Sequence, residues 1–134
     1  MSQEKTVLLV DDNEELCDLL KDVIAELGHK VTVSNSVEEA QKQINGQERF
    51  DSIIVDLRFK GGLDGLDLVA WTRGLEDTFK ARSKFILMTG QFSEFDPDES
   101  HCFGINVFLL KLFDPMLLEE CLNSILLKDT QTAA

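Results

Sequence analysis

The chain has 134 residues, of which 28% are charged and 43% are hydrophobic, as in an ordinary folded domain. Asp and Glu number 25 against 13 Lys and Arg, which gives a formal net charge of -12 at pH 7. Because this charge repels a phosphate backbone, we expect no direct binding to nucleic acid. No apolar stretch approaches the ~20 residues of a spanning helix, and the first residues lack the pattern of a signal peptide. We therefore expect a cytoplasmic protein that does not bind membranes.

The length predicts a single domain over 1–134, with a core at about 5–127 and a short polar tail at 128–134. The cysteines are odd in number and lack the spacing of a zinc site: Cys17, Cys102 and Cys121. We therefore expect free thiols rather than a disulfide framework or a zinc cluster.

Strand and helix patterns alternate along the first third of the chain. Val7–Val10 predicts a buried strand, and apolar residues then recur at helical spacing over Leu16–Leu27 until Gly28, a C-cap. His29–Val33 alternates and is rich in valine, which predicts a second strand, and Ser36 can cap a second helix.

The same alternation continues to the end. We predict strands at Asp51–Val55, Phe85–Met88 and Asn106–Leu110, a third helix through Leu66–Trp71, and a last helix with Asp114 as N-cap and Pro115 in its first turn. Gln91–Phe103 shows little periodicity, so we expect a long loop and a short fourth helix from near Pro97. Strands alternating with helices imply a parallel sheet covered by helices on both faces.

Charged residues stand at the ends of three apolar runs. Asp11 and Asp12 follow the first strand, Asp56 the third, and Lys111 the fifth. Taken singly, the acids suit helix starts, where the macrodipole favours them. If the strands are neighbours, however, the carboxylates meet in one crevice, where two charges ~4 Å apart repel by roughly 4 kcal/mol at an effective dielectric of 20. A cation such as Mg²⁺ would relieve that repulsion.

Further residues complete an ordered set at the strand ends. The set is Asp11-Asp12 after the first strand, Asp56 after the third, Thr89-Gly90 after the fourth, and Phe108 with Lys111 in and after the fifth. In this order they resemble the receiver domain of two-component response regulators, over nearly the whole chain. The resemblance implies a stand-alone receiver domain with a flavodoxin-like (βα)5 fold, an α/β doubly wound sheet of five parallel strands in the order 2-1-3-4-5.

The resemblance also implies a site. Asp56 would accept a phosphoryl group from a histidine kinase or a phosphotransfer protein. Asp12 would bind Mg²⁺ (or Mn²⁺) directly and Asp11 through water, with Asp56 and the backbone carbonyl of Arg58 as further ligands. The chain would catalyse only its own phosphorylation and dephosphorylation, and would not otherwise be an enzyme.

A conformational switch follows from the same resemblance. Thr89 and Lys111 would hold the phosphoryl oxygens, and Thr89 reaches them only if its loop moves inward. Phe108 would turn inward with Thr89 and alter the face made by the fourth predicted helix, the fifth strand and the last helix, where a downstream protein target binds. Arg58 and Gln91 stand where relatives tune the lifetime of the phosphoryl bond; Arg58 could shield it from water, or be a solvated side chain that contributes only its carbonyl.

Two features depart from the relatives. Leu112 replaces the usual proline after Lys111, and a cis bond without proline costs ~2.5 to 4 kcal/mol, so we predict a trans peptide and a slightly displaced Lys111. The segment after Asp56 lacks the usual proline and is one residue longer. These departures leave open a degenerate receiver that binds partners without phosphorylation.

Other readings fit less well. A flavin carrier would need hydroxyl and glycine donors where Asp11-Asp12 stands, and an aspartate-dependent phosphatase would place a second acid where Arg58 stands. Homodimerisation is left open by Leu117 and Leu126, which lie outside the apolar stripe of the last helix.

Overall fold

A computed structural model describes residues 4–46, 50–59, 62–89 and 107–110, together with Met116, Leu118, Glu120, Leu122 and Asn123. Its elements, in chain order, are β1 (Thr6–Val10), α1 (Glu14–Glu26), β2 (Lys30–Ser34), α2 (Val37–Gly46), β3 (Ser52–Asp56), α3 (Gly65–Arg73), α4 (Thr78–Ala81), β4 (Lys84–Thr89) and β5 (Val107–Leu110). The described residues from Met116 to Asn123 are helical and belong to the predicted last helix.

The five strands form one sheet in the order β2-β1-β3-β4-β5. Every neighbouring pair is parallel, with Val10 opposite Val55 in β1 and β3, and Asp56 opposite Met88 in β3 and β4. The strand order reverses beside β1, since β2 lies on one side of it and β3 on the other. The predicted flavodoxin-like topology is therefore confirmed, and the reversal places a crevice at the carboxyl ends of β1 and β3.

Successive side chains of the strands fill two apolar cores, one on each face of the sheet. Leu8, Val10, Ile53 and Val55 pack with residues of α2 and α3 in one core. The other core lies against α1 and the last helix and contains Val7, Leu9, Ile54, Cys17, Leu20, Ile24, Leu118 and Leu122. The sheet is thus covered on both faces, as a doubly wound fold requires.

Helix ends follow the predicted signals closely. Ser36 caps α2, because its Oγ accepts a hydrogen bond from the Glu39 amide at 3.1 Å. Gly28, beyond the end of α1, has φ 92°, a left-handed conformation that glycine adopts without strain. Asn13 caps the start of α1, and its side chain accepts from the Leu16 amide. The apolar repeat alone did not indicate this cap.

Strand ends differ from the prediction by about one residue in places. β2 begins at Lys30 rather than His29, while β3 extends to Asp56 and β4 to Thr89. Pairing with a neighbouring strand causes the last two differences, since Asp56 lies opposite Met88 and Thr89 opposite Leu110. The two polar residues are therefore the last residues of their strands, held by the sheet.

One short element was not predicted. α4 is a single turn, which is too short to show an apolar repeat, and it begins after Asp77, whose carbonyl accepts from the Ala81 amide at 2.9 Å. Arg73 holds its far end through hydrogen bonds to the carbonyls of Ala81 at 2.7 Å and Ser83 at 2.8 Å. The predicted loop over 91–103 and the fourth helix near Pro97 lie outside the described residues. Among the helices that are described, none combines the length and apolar character needed to cross a bilayer.

Candidate functional site

Three carboxylates meet at the carboxyl ends of β1 and β3. Asp11, Asp12 and Asp56 each offer one oxygen atom, and these atoms all lie within 4.8 Å of one another. The cause is the parallel pairing of β1 with β3, which puts Val10 beside Val55 and so the following residues beside each other. The predicted convergence of the acids is confirmed.

The cluster lies largely out of water. Asp11 is 0% exposed and Asp56 is 4% exposed, while Asp12 is half-buried. Like charges at such distances in a poorly solvated place repel strongly, and a cation relieves that repulsion. Carboxylate oxygens are the ligands that hard divalent ions such as Mg²⁺ prefer, so the donor set fits such an ion.

Hydrogen bonds join Asp11 to the end of β2 and to the start of α1. Its amide donates to the Ser34 carbonyl at 3.1 Å, and its Oδ1 accepts from the Asn13 amide at 2.9 Å. Asn13 in turn caps α1 by accepting from the Leu16 amide at 3.1 Å. Asp11 and the start of the helix are thus joined through Asn13, a supporting residue that the acid pattern did not reveal.

The backbone around Asp56 packs closely against the start of α3. The Leu57 amide donates to the Met88 carbonyl at 2.7 Å, and the Leu57 carbonyl accepts from the Gly65 amide at 3.0 Å. A Cβ atom built on Gly65 would lie 2.3 Å from the Asp56 carbonyl oxygen. Gly65 therefore allows a close approach that no other residue permits.

Asp64 supports the same approach as the N-cap of α3. Its side chain accepts from the Asp67 amide, and the Asp67 side chain accepts from the Asp64 amide, both at 2.9 Å. This capping box holds the start of the helix beside β3. The segment after Asp56 thus ends in a well-defined helix start.

The remaining predicted site residues are described to different extents. Thr89 is fully buried at the end of β4, one residue beyond the strand partner of Asp56, and Arg58 is exposed two residues after Asp56. The backbone of Phe108 lies in β5 opposite Leu87. Lys111 lies outside the described residues.

Several other predictions also fall on residues outside the described ranges: Gln91, Gly90, Leu112, Leu117, Leu126, Cys102 and Cys121. The trans peptide predicted between Lys111 and Leu112 is among them. Cys17 is described; it is buried and forms no disulfide.

Comparison with solved structures places this fold among known ones. The chemotaxis response regulator CheY4 of Vibrio cholerae is 23% identical with a TM-score of 0.81, over 92% of this chain and 99% of that chain. A CheY-like receiver domain protein from Methanospirillum hungatei is 20% identical with a TM-score of 0.83, over 97% and 99%. The receiver domain of a sensor histidine kinase from Pseudomonas aeruginosa, with a magnesium ion coordinated in its active-site cleft, is 26% identical with a TM-score of 0.80, over 92% and 98%.

Family comparison agrees with the fold and with the acidic cluster. No curated protein matches the chain. The model of the response regulator receiver domain matches residues 7–123, which include both core faces and all three clustered carboxylates. The chain therefore belongs to the response regulator receiver domain family of two-component signalling.

Proposed function

We propose that this chain is a phosphoryl-accepting switch in which Asp56 takes a phosphoryl group from a histidine kinase or a phosphotransfer protein. The observation that carries the proposal is the meeting of three carboxylate oxygens within 4.8 Å of one another. Membership of the receiver domain family supports the reaction class. The magnesium ion in the related kinase receiver domain supports the choice of metal.

The chemistry requires an anionic nucleophile to attack an anionic group. One oxygen of Asp56 forms a bond to phosphorus while the bond from phosphorus to the donor breaks, and the donor keeps that electron pair. Asp11, Asp12, Asp56 and the carbonyl of Arg58 would hold Mg²⁺ or Mn²⁺. The bound ion would neutralise charge on the transferring group. The chain's own contribution is to position Asp56 rigidly at the end of β3.

The output is a change of shape. Thr89 and Lys111 would bind the phosphoryl oxygens, and Phe108 would follow Thr89 inward. Moving a two-state equilibrium from 1:99 to 99:1 takes about 5.5 kcal/mol, which several charge-assisted hydrogen bonds can supply together. The altered face of β5 and its flanking helices would bind a downstream protein in the cytoplasm, or a second copy of this chain.

In this proposal the chain acts as an enzyme only on itself, forming and hydrolysing its own aspartyl phosphate. Arg58 and Gln91 would set the rate of hydrolysis. A second candidate is a receiver that binds partners without phosphorylation, which the longer segment after Asp56 and Leu112 after Lys111 favour.

Incubation of the full chain with a small phosphodonor and Mg²⁺ separates the two candidates. We expect the intact mass to increase by one phosphoryl group, and the increase to be lost in Asp56→Asn or with a chelator. Asp22→Asn, which removes an exposed carboxylate of α1 outside the cluster, is the matched control and should be phosphorylated normally. Failure of the parent chain to take up phosphate would leave the phosphorylation-independent module as the function.

A further inference from the structure

The backbone carbonyl of Asp11, just after β1, accepts hydrogen bonds from a residue that follows β2 and from a residue of α1. It accepts a hydrogen bond from the Asn35 side-chain amide at 3.0 Å and another from the Cys17 thiol at 3.4 Å. Asn35 follows β2, and Cys17 lies in the first turns of α1. One carbonyl at the end of β1 therefore accepts from both residues, and the Asn35 side-chain amide also donates to the Cys17 Sγ at 3.9 Å.

Asn35 is itself well anchored for this task. The preceding residue, Ser34, accepts from the Asp11 amide at 3.1 Å, so both polar backbone groups of Asp11 are bound by consecutive residues. The Asn35 amide donates to the Glu39 carboxylate at 3.4 Å, in the first turn of α2. The Asn35 side chain is thus presented to Asp11 by a short segment that is bound at both ends.

The hydrogen bonds to the Asp11 carbonyl also affect the position of Asp12. The carbonyl of Asp11 and the amide of Asp12 belong to one planar peptide unit, so a hydrogen bond that orients the carbonyl also orients the attachment of Asp12. Repulsion within the cluster would favour a rotation of this unit that carries the half-buried Asp12 carboxylate away from Asp11 and Asp56. A donor on the carbonyl opposes that rotation.

We propose that Asn35 is a positioning residue for the metal site, acting through the Asp11 carbonyl to keep the Asp12 carboxylate beside Asp11 and Asp56. Cys17 is a second, weaker donor to the same carbonyl. The inference rests on the proposed function, since it assumes that the cluster binds Mg²⁺. Residues that orient metal ligands in this way change metal affinity without contacting the metal.

Mg²⁺ titration of the full chain by calorimetry, without a phosphodonor, tests the inference. We expect Asn35→Ala to weaken Mg²⁺ binding about 10-fold, and Cys17→Ala to weaken it by a smaller factor. Thermal unfolding provides a second measurement. The rise in Tm that Mg²⁺ produces in the parent should be smaller in Asn35→Ala, whereas a purely structural role would lower Tm equally with and without the ion.

Ser36→Ala is the matched control. It removes the N-cap of α2 one residue further along the chain, and it leaves both donors to the Asp11 carbonyl in place. We expect it to lower Tm by the same amount with and without Mg²⁺, with binding within about 2-fold of the parent. If Asn35→Ala binds Mg²⁺ as the parent does, the inference is wrong, whatever Cys17→Ala does, and the proposed function stands. If the parent itself binds no Mg²⁺, the inference about Asn35 and the proposed function are both wrong.

Discussion

The two ends of the sheet use their carboxylates in opposite ways. At the amino end, Asp51 binds the chain beside it, because its Oδ2 accepts from the Thr6 amide at 2.8 Å and from the Thr6 hydroxyl at 3.1 Å. At the carboxyl end, Asp11 and Asp56 lie against each other and against Asp12. Hydrogen bonds to the Asp51 carboxylate link two neighbouring strands, whereas at the carboxyl end three carboxylates lie close together, and a bound cation would lower their mutual repulsion.

Backbone contacts at the carboxyl end oppose the separation of the acids. The acids there would separate if their backbones could move, and the backbone contacts around them oppose that movement. Gly65 lies against the Asp56 carbonyl, and Ser34 and Asn35 hold Asp11. The site therefore depends on contacts that are remote in sequence from the acids.

The largest effect on stability is expected from adding a side chain at Gly65. Gly65→Ala would place a methyl group 2.3 Å from the Asp56 carbonyl oxygen, so α3 must move away from β3. We expect a loss of about 3 kcal/mol in the free energy of unfolding, measured with denaturant. Gly46→Ala is the control, since nothing lies within 4 Å of a Cβ built there. Equal stability of the two variants would show that the contact at Asp56 is not tight.

Metal binding should stabilise the carboxyl end specifically. At a Mg²⁺ concentration about 100 times Kd, linkage gives a gain of about 2.7 kcal/mol in the free energy of unfolding. Asp12→Ala should lose most of that gain, because it removes one member of the cluster. Asp51→Asn should keep it, since Asp51 lies at the other end of the sheet. A similar response in both variants would contradict a site at the cluster.

Replacing Asp by Asn should change the free energy of unfolding in opposite directions at the two ends of the sheet. Without a divalent ion, Asp56→Asn removes repulsion and should raise the free energy of unfolding by about 1 to 2 kcal/mol. Asp51→Asn weakens charge-assisted hydrogen bonds to Thr6 and should lower it by about 1 kcal/mol. Denaturant unfolding of both variants in chelator checks this prediction, and a loss of stability in Asp56→Asn would contradict it.

The rate at which the phosphorylated chain releases phosphate tests the role of Arg58 at the carboxyl end. If Arg58 shields the aspartyl phosphate from water, Arg58→Ala should release phosphate several-fold faster than the parent. Arg82→Ala is a suitable control, since Arg82 is also exposed and precedes β4 at the opposite end of the sheet. Equal release rates in the parent and Arg58→Ala would reject shielding and leave only the carbonyl of Arg58 at the site.

The smallest expected effect is the contribution of His29, at the amino end of the sheet, to the pH dependence of stability. His29 is buried, its Nδ1 accepts from the Lys5 amide at 3.2 Å, and burial is the main cause that holds its pKa below the ordinary value. Lys5 lowers this pKa further, while Asp51 and Glu4 raise it. Because the pKa is lower in the folded state, the stabilisation from neutral His29 is complete above the unfolded pKa and is lost as pH falls through and below it.

His29→Gln isolates this contribution, since the other titrating groups are retained. We expect the parent to lose more stability than His29→Gln between neutral and mildly acidic pH, as measured by denaturant unfolding. Parallel curves for the two proteins would show that His29 does not change its protonation on unfolding.

Most of the fold was predictable because its signals are local. Buried parallel strands are continuous apolar runs, and α1 and α2 repeat their apolar residues at helical spacing, so each element could be recognised from a short segment. The ends of β3 and β4 were less predictable, because pairing with a neighbouring strand determines whether Asp56 and Thr89 belong to the strand. α4 was missed because one turn carries no repeat.

The acidic set is the part of the function that the amino-acid sequence determined by itself. The parallel fold requires that the carboxyl ends of β1 and β3 lie at the same edge of the sheet, so the positions of Asp11, Asp12 and Asp56 along the chain were sufficient. Only the tertiary structure revealed the residues that hold these acids in place. Asn35 and Gly65 act through backbone carbonyls of Asp11 and Asp56, and such contacts depend on how β2 and α3 pack against the neighbouring strands, which no local pattern records.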